Sequence, residues 1–541
     1  MTEATASTTA PTTAPTTGSG AGRGLVMAAM IFAVGMTFID QTIVAIAVPE
    51  IQQDLGLSPT GVQWIVNAYL LTLAAFFAFG GRISDMFGHK RLVVIGVVVF
   101  TFGSVMNGLT PTGDVAEAWF IVFRAVQGFG AALMLPAALA IVVGAYELRE
   151  RGKALAIFFA ITGGLTAVGP IAGGYLSEWT WRAIFWINVP VAIIALILIA
   201  KAKIVDERHP APIDVPGLVL IVGGMGLSVL GLQQASQWGW DAVETWACIV
   251  GGLALLVVFA FVETRRANPL IRVAIFENRA FTVQNLVLFF SMIAFIPVFF
   301  FASMYAQIAL GESVSDAGLY LMTFFAGFAV ASQFGGRMLD KIGAKVPVVL
   351  GCIVGAVGFA LWGNSLTDLD FNNQWYFIVI AGAGMGLMLG PSNTDAINRA
   401  PRVSYGEVSG VTQTVRNYGA SLGMAVLGSI LINQNVSNVE KTLAGFDVPT
   451  SKAEEIAHSL SGSGGGSPSA ALTQQAGSKA EQIFTAVQHD FGQSSRVVFF
   501  LMAGAMAVAG LVALIGLRSG RQADLPDDVP DDADARPLPT S

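Results

Sequence analysis

Apolar stretches of about twenty residues recur along the chain, separated by shorter polar turns. Hydropathy predicts fourteen helices at 25–48, 62–81, 91–109, 118–144, 154–176, 183–202, 215–234, 245–262, 281–305, 316–336, 346–363, 375–397, 407–432 and 496–517. A span of about 20 such residues is what a bilayer core requires. The pattern therefore predicts an all-α integral membrane protein. The stretch from Leu25 to Val48 is too long for a signal-peptide core of about 7–15 residues. It is taken as the first span. Residues 1–23 are rich in Thr, Ala, Pro and Ser, and residues 520–541 are acidic and Pro-rich. Both ends are expected to be disordered tails. Between the last two spans lies a polar segment, 433–495, with a Gly-Ser-Gly-Gly-Gly-Ser tract and amphipathic flanks.

Charge placement orients these spans. With the N-terminus in the cytoplasm, 22 of the 29 Lys and Arg fall on the cytoplasmic side. Five fall outside, and Arg124 and Arg416 lie within spans. Such a bias is the positive-inside signature. It places both termini in the cytoplasm. The ten Trp sit at or near the outer ends of spans, where indole favours the interface.

The chain repeats itself. "GGRISDMFGHK" at 80–90 returns as "GGRMLDKIGAK" at 335–345. Shifting the early spans by that offset of 255 residues superposes spans 1, 3, 4 and 5 on spans 9, 11, 12 and 13. The expected organisation is a six-helix bundle at 24–203, two additional spans within 204–267, and a second six-helix bundle at 268–519 that includes 433–495. Repeated halves are a common plan of secondary transporters.

Composition agrees. Of 541 residues, 54% are hydrophobic and 12% charged, against about 25% charged in soluble domains. Cys248 and Cys352 imply neither a disulfide framework nor a metal site, and the four His lack metal-ligand spacing. No phosphate-binding Gly-x-x-x-x-Gly-Lys-Ser/Thr loop occurs. No enzyme constellation, metal or cofactor is expected.

Within the spans, charge is rare. Asp40 stands out as the carboxylate well inside a span, with no acid expected within the spans of the second half. An intramembrane charge faces protein or an aqueous cavity. Arg124 either snorkels to the interface or tunes Asp40. Both would lie in the outer half of the membrane. Arg416 has candidate partners in backbone carbonyls, Asp40 or an anionic substrate group. Gln63, Asn67, Gln127, Gln284, Asn285, Gln413 and Asn417 are candidates for lining a central cavity, or for bonding helices together. The repeated segment offers Gly81, Arg82, Asp85, Gly88, Lys90 and Arg91, and in its second copy Gly336, Asp340 and Gly343. Glycine permits a tight turn or close helix approach, and the Asp can cap a helix or pair with a cation.

At these residues the sequence resembles the major facilitator superfamily. "GGRISDMFGHKR" is similar to its loop between spans 2 and 3, and "FRAVQGFG" (123–130) to its span-4 Arg-x-x-Gln-Gly motif. "AVGPIAGG" (167–174), with Gly169, Pro170, Gly173 and Gly174, resembles the span-5 motif of antiporters. Further segments at 181–190, 268–281 and 409–423 resemble the fourteen-span drug:proton antiporter family. The resemblance implies the major facilitator fold with two extra helices, residence in a bacterial inner membrane, and proton-driven export of hydrophobic, amphipathic drugs. Asp40 and Arg124 would serve proton coupling, and span 5 would hinge and seal the halves. Implied partners are a small-molecule substrate, protons and the lipid bilayer, with no nucleic acid, and the chain is expected to be a monomer. Rival readings are a dedicated exporter of one metabolite or lipid, and a membrane sensor built on a transporter scaffold.

Overall fold

The computed structural model describes residues 20–146, 151–166, 168–202, 204, 214–266, 268–398, 405–446 and 480–520. Among the described residues every regular element is a helix. In chain order these are α1 (Gly20–Leu55), α2 (Pro59–Phe87), α3 (His89–Gly108), α4 (Ala116–Ala145), α5 (Arg151–Leu165), α6 (Val168–Trp179), α7 (Ala183–Trp186) and α8 (Asn188–Lys201). They continue as α9 (Val215–Trp238), α10 (Val243–Glu263), α11 (Arg279–Ile308), α12 (Val314–Ile342), α13 (Lys345–Ser365), α14 (Trp375–Asn398), α15 (Tyr405–Gly445) and α16 (Ala480–Gly516). Thirteen helical segments among the described residues are long and apolar enough to cross a membrane, α7 and α8 together making one. The fourteenth crossing is α5 with α6, interrupted between Leu165 and Val168.

Two expectations change. Span 5, predicted as one stretch at 154–176 with a hinge, is two helices, α5 ending at Leu165 and α6 starting at Val168. The polar segment at 433–495 is not wholly a loop, because α15 continues to Gly445 and α16 starts at Ala480. These extensions carry Val439, Leu443, Ile483, Val487 and Phe491 as buried residues. The spacing of four places them on one stripe of each helix, and Asn438 donates to Ser494 across the pair at 3.1 Å. Charged outer faces lower the average hydropathy of these segments, which is why they read as loop. Residues 447–479 and most of both expected tails lie outside the described residues.

The sequence repeat is also a packing repeat. In the first half α4 packs on α2 and α3; in the second, α14 packs on α12 and α13. Likewise α1 meets α6 and α8, whereas α11 meets α15 and α16. Gly80 and Gly335 occupy equivalent crossings: a Cβ on either would overlap the backbone carbonyl of Ala132 or of Leu387. Gly88 and Gly343 end α2 and α12 at φ of 102° and 85°, a region disfavoured for residues with a Cβ. The repeated motif is therefore mostly helix, and the turn is confined to its last glycine. Gly81 and Gly336, read from the sequence as close-approach positions, are not. Gly81 has only Pro136 Cβ at 3.6 Å, and Gly336 faces open space.

The halves meet chiefly along two seams, with α1 also lying against α11. On one, α6 lies against α12; on the other, α2 lies against α15. The extra pair is placed asymmetrically. Helix α9 spans the α2–α15 seam, bonding Asn67 of α2 through Gln233 and Tyr418 of α15 through Ser228. Helix α10 packs on α9 and carries exposed Trp246, Val250, Leu253, Val257 and Phe261.

The close crossings predict a contrast between adjacent glycines. Gly335→Ala should destabilise by about 1–3 kcal/mol through overpacking. Gly336→Ala, one residue on, should lie within about 0.5 kcal/mol of the parent. The thermal unfolding midpoints of the purified proteins measure both.

Candidate functional site

Asp40 is 0% exposed in the middle of α1. An ionised carboxylate so placed requires a counter-charge and hydrogen bonds. The first turns of α4 supply both. Arg124 Nη1 donates to Asp40 Oδ2 at 2.6 Å, and Gln127 Nε2 donates to Oδ1 at 2.7 Å. Arg124 and Gln127 are three residues apart and so share a helix face. Arg124 Nη1 also donates to Gln127 Oε1 at 2.8 Å. The guanidinium is held from α2 as well. Its Nε donates to the Ile65 carbonyl at 2.7 Å, and its Cζ lies 4.6 Å from the Tyr69 ring centre. From α3, Asn107 donates to Gln127 Oε1 at 3.2 Å. Four helices thus converge on one carboxylate. Arg124 does not snorkel outward; it is 1% exposed. Gln127, a candidate for lining a central cavity, is bound up in this cluster instead.

A second buried acid corrects the expectation of an acid-free second half. Asp395 is 2% exposed near the end of α14. Gln284 of α11 donates to it at 2.6 Å, and Ser392 donates to Gln284 at 2.6 Å. Its signal was available in the sequence. Asp395 falls inside the predicted span 375–397, three residues after Ser392.

The other polar candidates do not share one cavity. Asn67 is hydrogen-bonded to Gln233 and Ser421, so it ties α2 to α9 and α15. Asn285 donates to the Phe281 carbonyl at 2.9 Å. Gln63 lines a small cleft with Gln52, Phe300, Met304, Asn435 and Phe491. Arg416 donates to Gln413 at 2.7 Å. Asn417 is buried beside it. Asp40, one possible partner of Arg416, is engaged by Arg124.

At the end of α2, Asp85 lies 3.7 Å from His89 and is half exposed. Lys90 reaches the Ala202 carbonyl at 3.5 Å. Arg82 is half-buried, and Arg91 and Asp340 are exposed.

Span 5 shows a tighter arrangement. Pro170 has no N–H, so it cannot bond the carbonyl four residues back, that of Thr166. The Thr42 hydroxyl of α1 donates to that carbonyl at 2.9 Å. The contact needs Gly169, because a Cβ there would overlap the Thr42 hydroxyl. A Cβ on Gly173 would lie 3.1 Å from the Ile43 carbonyl, so this face of α6 fits closely on α1. The other face meets the second half. A Cβ on Gly174 would lie 2.8 Å from Ser315 Cα, and one on Gly318 would lie 2.6 Å from the Pro170 carbonyl. Ser315 also donates to Glu178.

Two repeated helical bundles, the seams between them and a buried ion pair in one bundle are the architecture of a multi-pass membrane transporter. Known proteins agree. The sequence model of the Major Facilitator Superfamily matches residues 30–424. The chain is 32% identical to the tetracenomycin C resistance and export protein of Streptomyces glaucescens, over 93% of each chain. It is 30% identical to the multidrug transporter protein MdtP of Bacillus subtilis over 81% of each. It is 31% identical to the puromycin resistance protein pur8 of Streptomyces alboniger, over 75% of this chain and 80% of that one. Among solved structures, a bacterial homologue of the human lysosomal transporter Spinster, inward-facing and unoccupied, aligns with a TM-score of 0.63. That alignment covers 92% of this chain and 98% of the other at 17% identity. The chain belongs to the major facilitator superfamily and is a multi-pass protein of the plasma membrane.

The buried cluster predicts a non-additive pair of substitutions. Arg124→Gln alone leaves Asp40 without its cation and should cost about 3–5 kcal/mol. Adding Asp40→Asn should recover most of that loss. A double-mutant cycle on thermal unfolding measures the coupling.

Proposed function

We propose that the chain is a proton-coupled exporter of hydrophobic, amphipathic drugs or antibiotics that works by alternating access. The observation that carries the proposal is the burial of Asp40 between Arg124 and Gln127. A proton arriving from the outer side neutralises Asp40 and removes the ion pair between α1 and α4. Arg124 keeps Gln127, the Ile65 carbonyl and the Tyr69 face, so the free cation is tolerated while α1 is released. Loss of the proton to the cytoplasm remakes the pair and resets the cycle. Relatives named for resistance and export support the drug-exporter reading.

The same proposal fixes the remaining assignments. The bundles at 24–203 and 268–519 rock against each other, with both termini cytoplasmic. Span 5, through Gly169, Pro170, Gly173 and Gly174, hinges and seals the α6–α12 seam. Gly88 and Gly343, with Asp85 and Asp340, shape the cytoplasmic ends of α2 and α12. Gln63, Gln413, Arg416 and Asn417 are the polar contacts offered to substrate. Asn67 and Gln284 serve chiefly to bond helices, whereas Asn285 bonds back to its own helix.

The test is transport in proteoliposomes under an imposed pH gradient, with puromycin, ethidium and rhodamine 6G as probes. Wild-type protein is expected to move at least one of them in exchange for protons. Asp40→Asn should abolish gradient-driven movement while leaving probe binding in place. Undiminished gradient-driven transport by Asp40→Asn removes Asp40 as the proton site. Transport of none of the probes removes the multidrug reading.

A further inference from the structure

We infer that Thr42 is a positioning residue that links the proton site on α1 to the break in span 5. The inference rests on the proton-coupled reading above and goes beyond it. Asp40 and Thr42 are two residues apart on one helix, so a displacement of α1 carries both. Asp40 is tied to α4 by Arg124 and Gln127. Thr42 is tied to span 5, where its hydroxyl donates to the Thr166 carbonyl at 2.9 Å. Pro170 leaves that carbonyl without its helical partner, and in lipid an unsatisfied carbonyl is costly. The Thr166 carbonyl is therefore bonded from α1 in place of the N–H that Pro170 lacks. Thr42 has an alternative acceptor, the Ile39 carbonyl of its own helix at 3.2 Å. The hydroxyl thus has two acceptors between which a shift of α1 decides.

From the break, the path runs to the other half. The Pro170 carbonyl lies at the closest approach of α6 to α12, at Gly318, and Gly174 follows against Ser315. A change in the bend at 166–170 therefore moves the surface on which α12 rests. In this arrangement protonation of Asp40 frees α1 from α4, and Thr42 converts that freedom into a change of bend in span 5. The titratable groups facing Asp40 are Arg124 from α4 and the Tyr69 phenol from α2. No other charged side chain among the described residues is ion-paired or hydrogen-bonded to it.

Two substitutions separate this role from mere packing. Thr42→Val keeps the shape and removes the hydroxyl; Thr42→Ser keeps the hydroxyl. Hydrogen exchange of the purified full-length protein, followed over residues 151–179 and corrected for intrinsic rates, reads the break directly. Wild type should change its protection in this segment between acidic and alkaline pH. Asp40→Asn and Thr42→Val should each lose that pH dependence, and Thr42→Ser should retain it. Gradient-driven transport of the probes named above should fall about tenfold in Thr42→Val, chiefly in turnover rather than half-saturation, and recover in Thr42→Ser. The inference is overturned if Thr42→Val keeps the wild-type pH dependence of exchange, or if wild type shows none. Failure of the parent reading looks different: Asp40→Asn itself then transports normally.

Discussion

The bilayer offers no water to an exposed donor, acceptor or charge, so each polar group in this chain must find its partner inside the protein. Asp40 states the constraint most sharply. A lone carboxylate at zero exposure would be prohibitively costly; its partners Arg124 and Gln127 come from α4 and are themselves held from α2 and α3. The architecture of the first bundle follows from holding those four helices in register around it. Glycine at the α2–α4 crossing allows the backbones to come close enough for the Arg124 head to reach the Ile65 carbonyl. The interaction is also reversible, because a proton removes one charge of the pair and leaves the other with neutral partners. A site that is stable in two charge states is what coupling to a proton gradient requires.

The same constraint explains the asymmetry between the seams. Helices α2 and α15 meet through polar side chains, Asn67 and Ser421, and α9 adds Gln233 and Ser228 on the flank. Helices α6 and α12 meet through backbone at Gly174 and Gly318. One seam is thus bridged by side-chain bonds in its interior and flanked by an additional helix, and the other is a close backbone contact with one exposed side-chain bond, Ser315 to Glu178. Side-chain bonds can follow small displacements by rotamer changes, whereas a backbone contact at van der Waals distance either fits or separates. The α6–α12 seam is therefore the place where a bend in span 5 has most leverage.

Much of the fold was legible in the sequence because membrane helices announce themselves by length and apolarity. Thirteen membrane-length segments among the described residues, and the matching packing of α4 on α2 and α3 and of α14 on α12 and α13, follow the predicted pattern. Hydropathy failed where helices leave the lipid: the outer parts of α15 and α16 pair through a narrow stripe under charged faces. The separation of α5 from α6 does not show in hydropathy because the residues on both sides of it are equally apolar. At the site, Asp40 and Arg124 stood out because charge is rare in spans. Gln127 did not reveal its role, since an amide in a span serves equally as interhelical bond or cavity lining. Asp395 was missed because it sits at a span end, where a carboxylate reads as interfacial. Burial, not sequence position, distinguishes the two cases.

Helix α1 ties three parts of the structure together. It holds Asp40 toward α4, Thr42 toward the break in span 5, and the Ile46 carbonyl toward Gln307 of α11 at 2.9 Å. Those three contacts reach the buried ion pair, the junction of α5 with α6 and the second bundle within seven residues, about two turns of one helix. A helix transmits a displacement along its axis with little loss over so short a distance. In the proposed cycle, a proton bound at Asp40 would therefore be felt at the other two points. Coupling of that kind needs no long pathway: it needs α1 to stay helical through Pro49 and to be held at Asp40 by an ion pair that protonation removes.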